Sequence, residues 1–265
     1  MCCQPPRDVD DIEVLYKENL ERIHNAPKEL PLIGITGGEP TLLGDKLITL
    51  VEEIRAYLPD TEIQLLSNGR KFADAEYTKR LAKAGGDKLY VGVELHSDYY
   101  KDHDTIAGKK GAYQETMYGL YNLAANRVPI ELRVIMCSQN YTRLHEIAVF
   151  IHKNLPFVAW IAFMGMEQIG HAVSNYNNVW IEPLEYQNQL YAAVKSLADW
   201  NYNVNIFNIP LCLLPVELHD FARKSISTWK NKYAPECEGC CLKGDCCGFF
   251  TTSREIYKGI TPFKS

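Results

Sequence analysis

A chain of 265 residues with 46% hydrophobic content can bury one large core or two small ones. Its formal net charge of −5 removes phosphate-backbone attraction as a main source of affinity, so no nucleic-acid partner is expected. No apolar run reaches the ~18 to 20 residues that span a bilayer, and no charged-apolar-small leader precedes the first helical segment. The expectation is a cytoplasmic protein without membrane contact.

After Pro5-Pro6, residues 9 to 25 carry Val9, Ile12, Leu15, Leu20 and Ile23 among acids and bases, a helical period. Short apolar runs then alternate with amphipathic stretches. The pattern predicts strands over 30–36, 62–67, 88–95, 130–136 and 157–163, with a weaker one over 204–209, and helices near 44–58, 74–84, 112–126, 141–154 and 184–200. A parallel neighbour cannot be reached by a tight turn, so this alternation requires right-handed crossovers. An α/β sheet results, open or closing, with its chemistry at the carboxyl ends of the strands.

Within 88–96, Leu89, Val91, Val93 and Leu95 share one face, and Tyr90, Gly92, Glu94 and His96 the other. The next strand sets Glu131 and Arg133 opposite Leu132 and Val134. A parallel strand buried on both faces reads as nearly all apolar, so charge on one parity implies a polar interior at one end. Either a charged ligand occupies that interior, or the two residues pair only with neighbouring strands. No strand precedes Cys2-Cys3, and the run ending at Thr36 would then be an open apolar edge. A missing first strand is inferred.

Unusual residues cluster at the strand ends. Gly37-Gly38-Glu39-Pro40 removes two side chains where a strand meets a helix, so backbone can approach a ligand and strand-end carbonyls can accept from an ammonium group. Asn68-Gly69 closes the next strand and by itself is a turn pair. Met164-Gly165-Met166-Glu167 follows the fifth strand; its apolar side chains with a close-approach glycine suit an adenine, or the methionines are ordinary core packing. Seven histidines show no H-x-x-x-H or H-E-x-x-H arrangement, which leaves zinc-hydrolase chemistry without support. Apart from His103-Asp104, they read as loop histidines satisfied by solvent.

Six of nine cysteines fall in the last 54 residues, a spacing that favours metal thiolates over disulfides. Cys237 and Cys240, followed by Cys246, give C-x2-C-x5-C, with Cys212 available upstream. Four thiolates complete either a tetrahedral zinc site or a cubane, and the spacing alone does not separate them. The doublings at Cys241 and Cys247 leave the register open; Cys137, within an apolar strand, reads as core.

Taken together, Cys2-Cys3 and the downstream Gly37-Gly38-Glu39-Pro40 resemble a radical S-adenosylmethionine (SAM) enzyme entered partway through its C-x3-C-x2-C cluster loop. Further segments are similar to the His-Xaa-Ser system radical SAM maturases (HxsC-like): Met1 to Pro6, Gly111-Ala112-Tyr113, Asn122-Leu123-Ala124, Glu131 to Val134, Met164 to Glu167, Leu211-Cys212 and Ser225 to Lys230. The resemblance implies a partial (β/α)6 TIM-like barrel lacking its first strand over residues 1–209, and a Cys-rich auxiliary extension over 210–265. It makes Cys2 the third ligand of a [4Fe-4S] cluster whose other two cysteines are absent. The chain as given is then expected to be an inactive, N-terminally truncated piece, or a non-catalytic metal-binding scaffold.

For the cofactor, the same resemblance implies that Gly37, Gly38, Glu39 and Pro40 hold the methionyl amine of SAM and that Asn68 lines its pocket. It places Glu94 on the ribose and Arg133, whose planar fork suits a carboxylate, on the methionyl carboxylate; Met164 packs on the adenine. Because Cys247-Gly248-Phe249-Phe250 is similar to a family Cys-Gly-Gly-Phe-Phe ending, the auxiliary ligands become Cys212, Cys237, Cys240 and Cys246, on a second [4Fe-4S] cluster or on zinc. No catalytic side chain is implied. The implied substrate is a ribosomally made peptide with His-Xaa-Ser repeats, and the implied partners are an electron donor such as a flavodoxin or ferredoxin and a second radical SAM maturase. A radical SAM enzyme acting on a small molecule or nucleoside is the alternative.

Overall fold

The computed structural model describes residues 12–264; Cys2 and the cluster loop expected around it lie outside the described residues. Helix α1 (Ile12–His24) leads into β1 (Leu32–Ile35), α2 (Asp45–Tyr57), β2 (Glu62–Ser67), α3 (Ala75–Gly85), β3 (Leu89–Glu94), α4 (Tyr100–Ala107), α5 (Ala112–Ala125) and β4 (Ile130–Ile135). There follow α6 (Leu144–Asn154), β5 (Trp160–Met164), α7 (His171–Ser174), α8 (Tyr176–Val179), α9 (Gln187–Asp199), β6 (Val204–Phe207) and β7 (Ala222–Arg223). The short strands β8 (Asn231–Lys232) and β9 (Phe249–Phe250) pair antiparallel. Strands β1 to β7 are ordered in the sheet as they occur in the chain. Seven strands thus stand where six were predicted, because β7 has only two residues and is too short to show a period. Helices α4, α7 and α8 were also not predicted, each being shorter than the three turns over which an apolar stripe repeats clearly.

Two compact units divide the chain. In the first, residues 12–94 and 111–131, β1, β2 and β3 pair in parallel, with Ile35 beside Leu65 and Leu65 beside Val91. Ile63, Leu65, Val91 and Val93 are fully buried on the parity that takes the apolar stripes of α2 (Leu47, Val51, Ile54), α3 (Leu81) and α5 (Leu120, Leu123). Each such side chain contributes roughly 1.5–3 kcal/mol on burial. The opposite parity stays partly open: Leu32 is 43% exposed, and Gln64, Tyr90 and Glu94 are half-buried. Asp74 starts α3 by accepting the Tyr77 N–H at 3.0 Å, which satisfies one of the unpaired donors of a first turn. At Gly119 in α5 a Cβ would overlap the Gly69 carbonyl oxygen; the absent side chain lets the helix lie directly on the loop after β2.

The second unit holds residues 95–110 and 132–264. Here β5, β6 and β7 run parallel, with Phe163 beside Ile206 and Ile206 beside Ala222. Helices α6 and α9 bury Leu144, Ile147 and Ile151, and Leu190, Val194 and Leu197. Past β6 the chain turns irregular, and Ile226, Cys247 and Phe250 form a small core of their own. Among the described residues no helix is long and apolar enough to cross a membrane.

Candidate functional site

In the first unit the strand ends are tied together by one carboxylate. Glu39 accepts the Thr41 amide at 3.1 Å and the Thr41 hydroxyl at 2.6 Å with one oxygen, which also takes the Ser67 hydroxyl at 2.8 Å. Its other oxygen accepts the Asn68 N–H at 2.8 Å. The parallel register of β1 on β2 brings these residues together although 28 positions separate Glu39 from Ser67. Asn68 continues the network: its side-chain oxygen accepts the Arg70 N–H at 3.0 Å and its carbonyl accepts the Thr116 hydroxyl at 3.0 Å. Buried Pro40 opens the 3-10 turn Pro40–Leu43, where its fixed φ costs nothing. Gly37 and Gly38 are exposed, and a Cβ built on either would meet nothing within 4 Å. Glu39 is thus engaged with protein donors, while the glycine backbone faces open space. Glu94, half-buried, ends β3 on the parity of Tyr90 and Gly92. On that parity Gln64 Nε2 donates to Glu131 Oε2 at 3.2 Å, which supplies a partner to the buried Glu131 carboxylate.

Arg133 and Met164 belong to the second unit. Both are half-buried, with the Arg133 carbonyl accepting the Leu95 N–H at 2.9 Å and the Met164 carbonyl accepting the Met136 N–H at 3.0 Å. Beyond Met164, a Cβ on Gly165 would stand 2.5 Å from the Asn208 carbonyl oxygen. Asn208 itself sits at φ +64° and donates its amide to Ser225 Oγ at 2.9 Å, while its side chain takes the Ser225 hydroxyl and reaches the Gly165 carbonyl at 3.3 Å. Glu167 pairs with Lys230 at 3.4 Å. These contacts join two segments singled out in the sequence, Met164 to Glu167 and Ser225 to Lys230.

For His96 the reading as a loop histidine satisfied by solvent needs correction. His96 and His103 are buried, at 5% and 2% exposure, with ring centroids 5.0 Å apart. The His96 N–H donates to His103 Nδ1 at 3.2 Å, and the Asn140 side-chain amide donates to the His96 carbonyl at 2.8 Å. Burial pushes the imidazoles down, His96 to about 3 and His103 to about 4. The parity of β3 places His96 with Glu94; the resemblance reads His103-Asp104 as a helix-entry element, and what the sequence did not show is that His103, carried on α4, packs against His96.

Four of the predicted thiols come together. Cys212, Cys237, Cys240 and Cys246 line one cavity with Tyr233 and Phe249, and all four are half-buried. Cys246 Sγ accepts backbone N–H groups from Leu211 at 3.5 Å and Gly248 at 3.4 Å. Hydrogen bonding from Cys247, helped by these amides, brings the Cys246 thiol down to about 6, whereas burial pushes Cys212 and Cys237 up. Cys241 is exposed; Cys137 and Cys247 are buried. Among the described residues no three His, Cys, Asp or Glu side chains form a group that could hold a metal ion as they stand.

A profile of the radical SAM superfamily matches residues 1–151. The Fe-coproporphyrin III synthase of Methanosarcina barkeri (strain Fusaro / DSM 804) is 31% identical over 111 residues, which are 42% of this chain and 26% of the synthase. Among solved structures, native anSMEcpe with bound AdoMet and Kp18Cys peptide superposes with a TM-score of 0.54 at 17% identity, over 76% of this chain and 55% of its own. Coproporphyrinogen III oxidase (HemN) from Escherichia coli, a radical SAM enzyme, does so with a TM-score of 0.52 at 13% identity, over 76% and 48%. The chain therefore spans about a quarter of the curated relative and about half of each structural one. At these identities the structural likeness shows a shared fold.

Proposed function

The chain belongs to the radical SAM superfamily, and from that membership we propose that it is the core of an enzyme that cleaves SAM reductively and modifies a ribosomally made peptide carrying His-Xaa-Ser repeats. When bound, a [4Fe-4S] cluster and SAM supply a 5′-deoxyadenosyl radical that removes hydrogen from the substrate. The chain's own residues bind and orient. Gly37 and Gly38 offer open backbone to the methionyl ammonium, in the space where no Cβ stands. Glu39 and Pro40 fix that loop, Glu39 by latching it to Ser67 and Asn68, and Asn68 forms the adjoining wall. In this reading Glu94 takes the ribose hydroxyls, Arg133 the methionyl carboxylate and Met164 the adenine, while Cys2 ligates the cluster.

The latched Gly37-Gly38-Glu39-Pro40 loop is the observation that carries the SAM reading. The peptide reading rests on the segments similar to the His-Xaa-Ser maturases, and the peptide held by anSMEcpe is compatible with it. Residues 210–265 would serve as the auxiliary extension, on the family resemblance, with Cys212, Cys237, Cys240 and Cys246 holding a [4Fe-4S] cluster or zinc once brought together by the metal. A flavodoxin or ferredoxin would deliver electrons, and a second maturase would share the peptide. A second reading, a tetrapyrrole or another small molecule as substrate, is favoured by the coproporphyrin synthase relative.

One experiment separates the readings. The protein, anaerobically reconstituted, is mixed with SAM and reductant, and 5′-deoxyadenosine is measured with a His-Xaa-Ser repeat peptide, with coproporphyrin III, or with neither. Peptide-dependent release with a mass change in the peptide supports maturation. Release stimulated only by the porphyrin would transfer the assignment to small-molecule chemistry.

A further inference from the structure

Turns are usually built from Gly, Pro, Asn, Asp or Ser, which satisfy the turn's own backbone or take its special angles. The turn Ser227-Thr228-Trp229-Lys230 departs from that rule. It is closed by the Lys230 N–H donating to the Ser227 carbonyl at 2.9 Å, and its third residue is a tryptophan left 80% exposed. An indole adds nothing to the closing of such a turn, and its large apolar face gains only when something covers it.

Both flanks of the turn are fixed within the second unit. On one side Ile226 is buried with Cys247 and Phe250, and the Ser225 hydroxyl bonds Asn208 at 2.9 Å, directly after β6. On the other, the Lys230 carbonyl accepts the Thr251 N–H at 2.9 Å, and β8 follows, paired with β9. The Lys230 ammonium stands 3.4 Å from the Glu167 carboxylate, in the segment that follows β5. Backbone beneath Trp229 is thereby held at the carboxyl ends of β5 and β6, where parallel α/β sheets receive their substrates. A tryptophan on fixed backbone has two torsions to lose on contact, and such rings carry much of the energy of a binding face.

The surroundings of the ring decide between occupants. Lys230 Nζ lies 5.4 Å from the indole centroid, but it is paired with Glu167, so the two charges cancel and offer little to the carboxylates of a porphyrin. Phe250, also 5.4 Å from Lys230 Nζ, is buried and adds no face on which a macrocycle could lie. One indole face beside a neutralised ion pair suits one small, uncharged, planar ring.

We infer that Trp229 is a substrate-contact residue, stacking on the imidazole of a histidine in the His-Xaa-Ser repeat. This rests on the peptide reading of the function and goes beyond it by naming the recognising residue and the part of the repeat that it recognises.

The test is equilibrium binding of the full chain to a fluorescein-labelled His-Xaa-Ser repeat peptide, read by anisotropy at about pH 8, above the imidazole range. Binding requires no turnover. Trp229→Ala is expected to weaken binding about tenfold, a usual loss for an aromatic contact, and Trp229→Phe, which keeps a ring, by less. Since the indole is exposed, both variants should keep the wild-type urea midpoint. The same peptide with Ala in place of each His should bind wild type and Trp229→Ala alike, and the difference between the two comparisons isolates the ring contact.

Equal affinity of wild type and Trp229→Ala for the His peptide would overturn the inference and leave the peptide reading standing. An equal loss for both peptides would make Trp229 a general apolar contact and overturn its recognition of imidazole. A wild-type chain that does not bind the His peptide would remove the peptide reading itself, and the inference with it. In that event binding of coproporphyrin III, followed by its Soret absorbance and lost in Trp229→Ala, would give the indole to the small-molecule reading.

Discussion

At the scale of the residue, Glu39 concentrates the most consequence in the fewest atoms. One half-buried carboxylate accepts four hydrogen bonds from Thr41, Ser67 and Asn68, so its removal leaves several donors without an acceptor. Glu39→Ala should cost on the order of 1–3 kcal/mol, read as a lower urea midpoint. It should also weaken SAM binding in equilibrium titration, whereas Ser67→Ala, which removes one of the four donors, should do less on both counts. An unchanged SAM affinity in Glu39→Ala would mean that the loop needs no latch. The sequence showed Glu39 as part of a motif but not its partners, since those are set by the register of two strands.

The elements carry a second kind of constraint, close approach. Alanine is normally worth up to ~1 kcal/mol over glycine inside a helix, yet at position 119 it would drive a methyl group into the Gly69 carbonyl. Gly119→Ala is therefore expected to lower stability, by roughly 1–3 kcal/mol as for other overpacked sites, measured by thermal or denaturant unfolding. A stabilised variant would show that α5 does not lie on the loop after β2. Gly165→Ala should act similarly at the end of β5, because the atom it would meet is a backbone oxygen of Asn208, which cannot rotate away. Gly119 is silent in the sequence, where a glycine in a helix reads only as weak punctuation; Gly165 was legible as a close-approach glycine, but toward an adenine and not toward the Asn208 carbonyl.

For the whole molecule, pH is the informative variable. His96 and His103 have folded values of about 3 and about 4, below the ~6.5 of a histidine in an unfolded chain. Unfolded chains therefore bind these protons first, and stability should decline as pH falls through about 6.5 toward 4. The urea midpoint is expected to drop between pH 7 and pH 5, and less steeply in His103→Gln. An identical slope in the two proteins would locate the acid sensitivity elsewhere. On the alkaline side burial raises Tyr77 and Tyr257 to about 12, so the fold keeps protons that unfolded tyrosines release near ~10. Stability should fall again above that pH, which tyrosinate absorbance during unfolding would follow.

The sequence by itself determined the alternation of strands and helices, because burial on one face imposes a period of 2 or 3.6 that needs no knowledge of neighbours. It also determined that Gly37-Gly38-Glu39-Pro40 and Asn68-Gly69 fall at the ends of β1 and β2, and that six cysteines crowd the end of the chain. Tertiary structure alone decided which atoms meet: Glu39 with Ser67 and Asn68, His96 with His103 of α4, and Asn208 with Ser225 and Gly165. Those pairings depend on strand register, on helices too short to show a period, and on the left-handed backbone at Asn208. None of these is a local property of the residues involved.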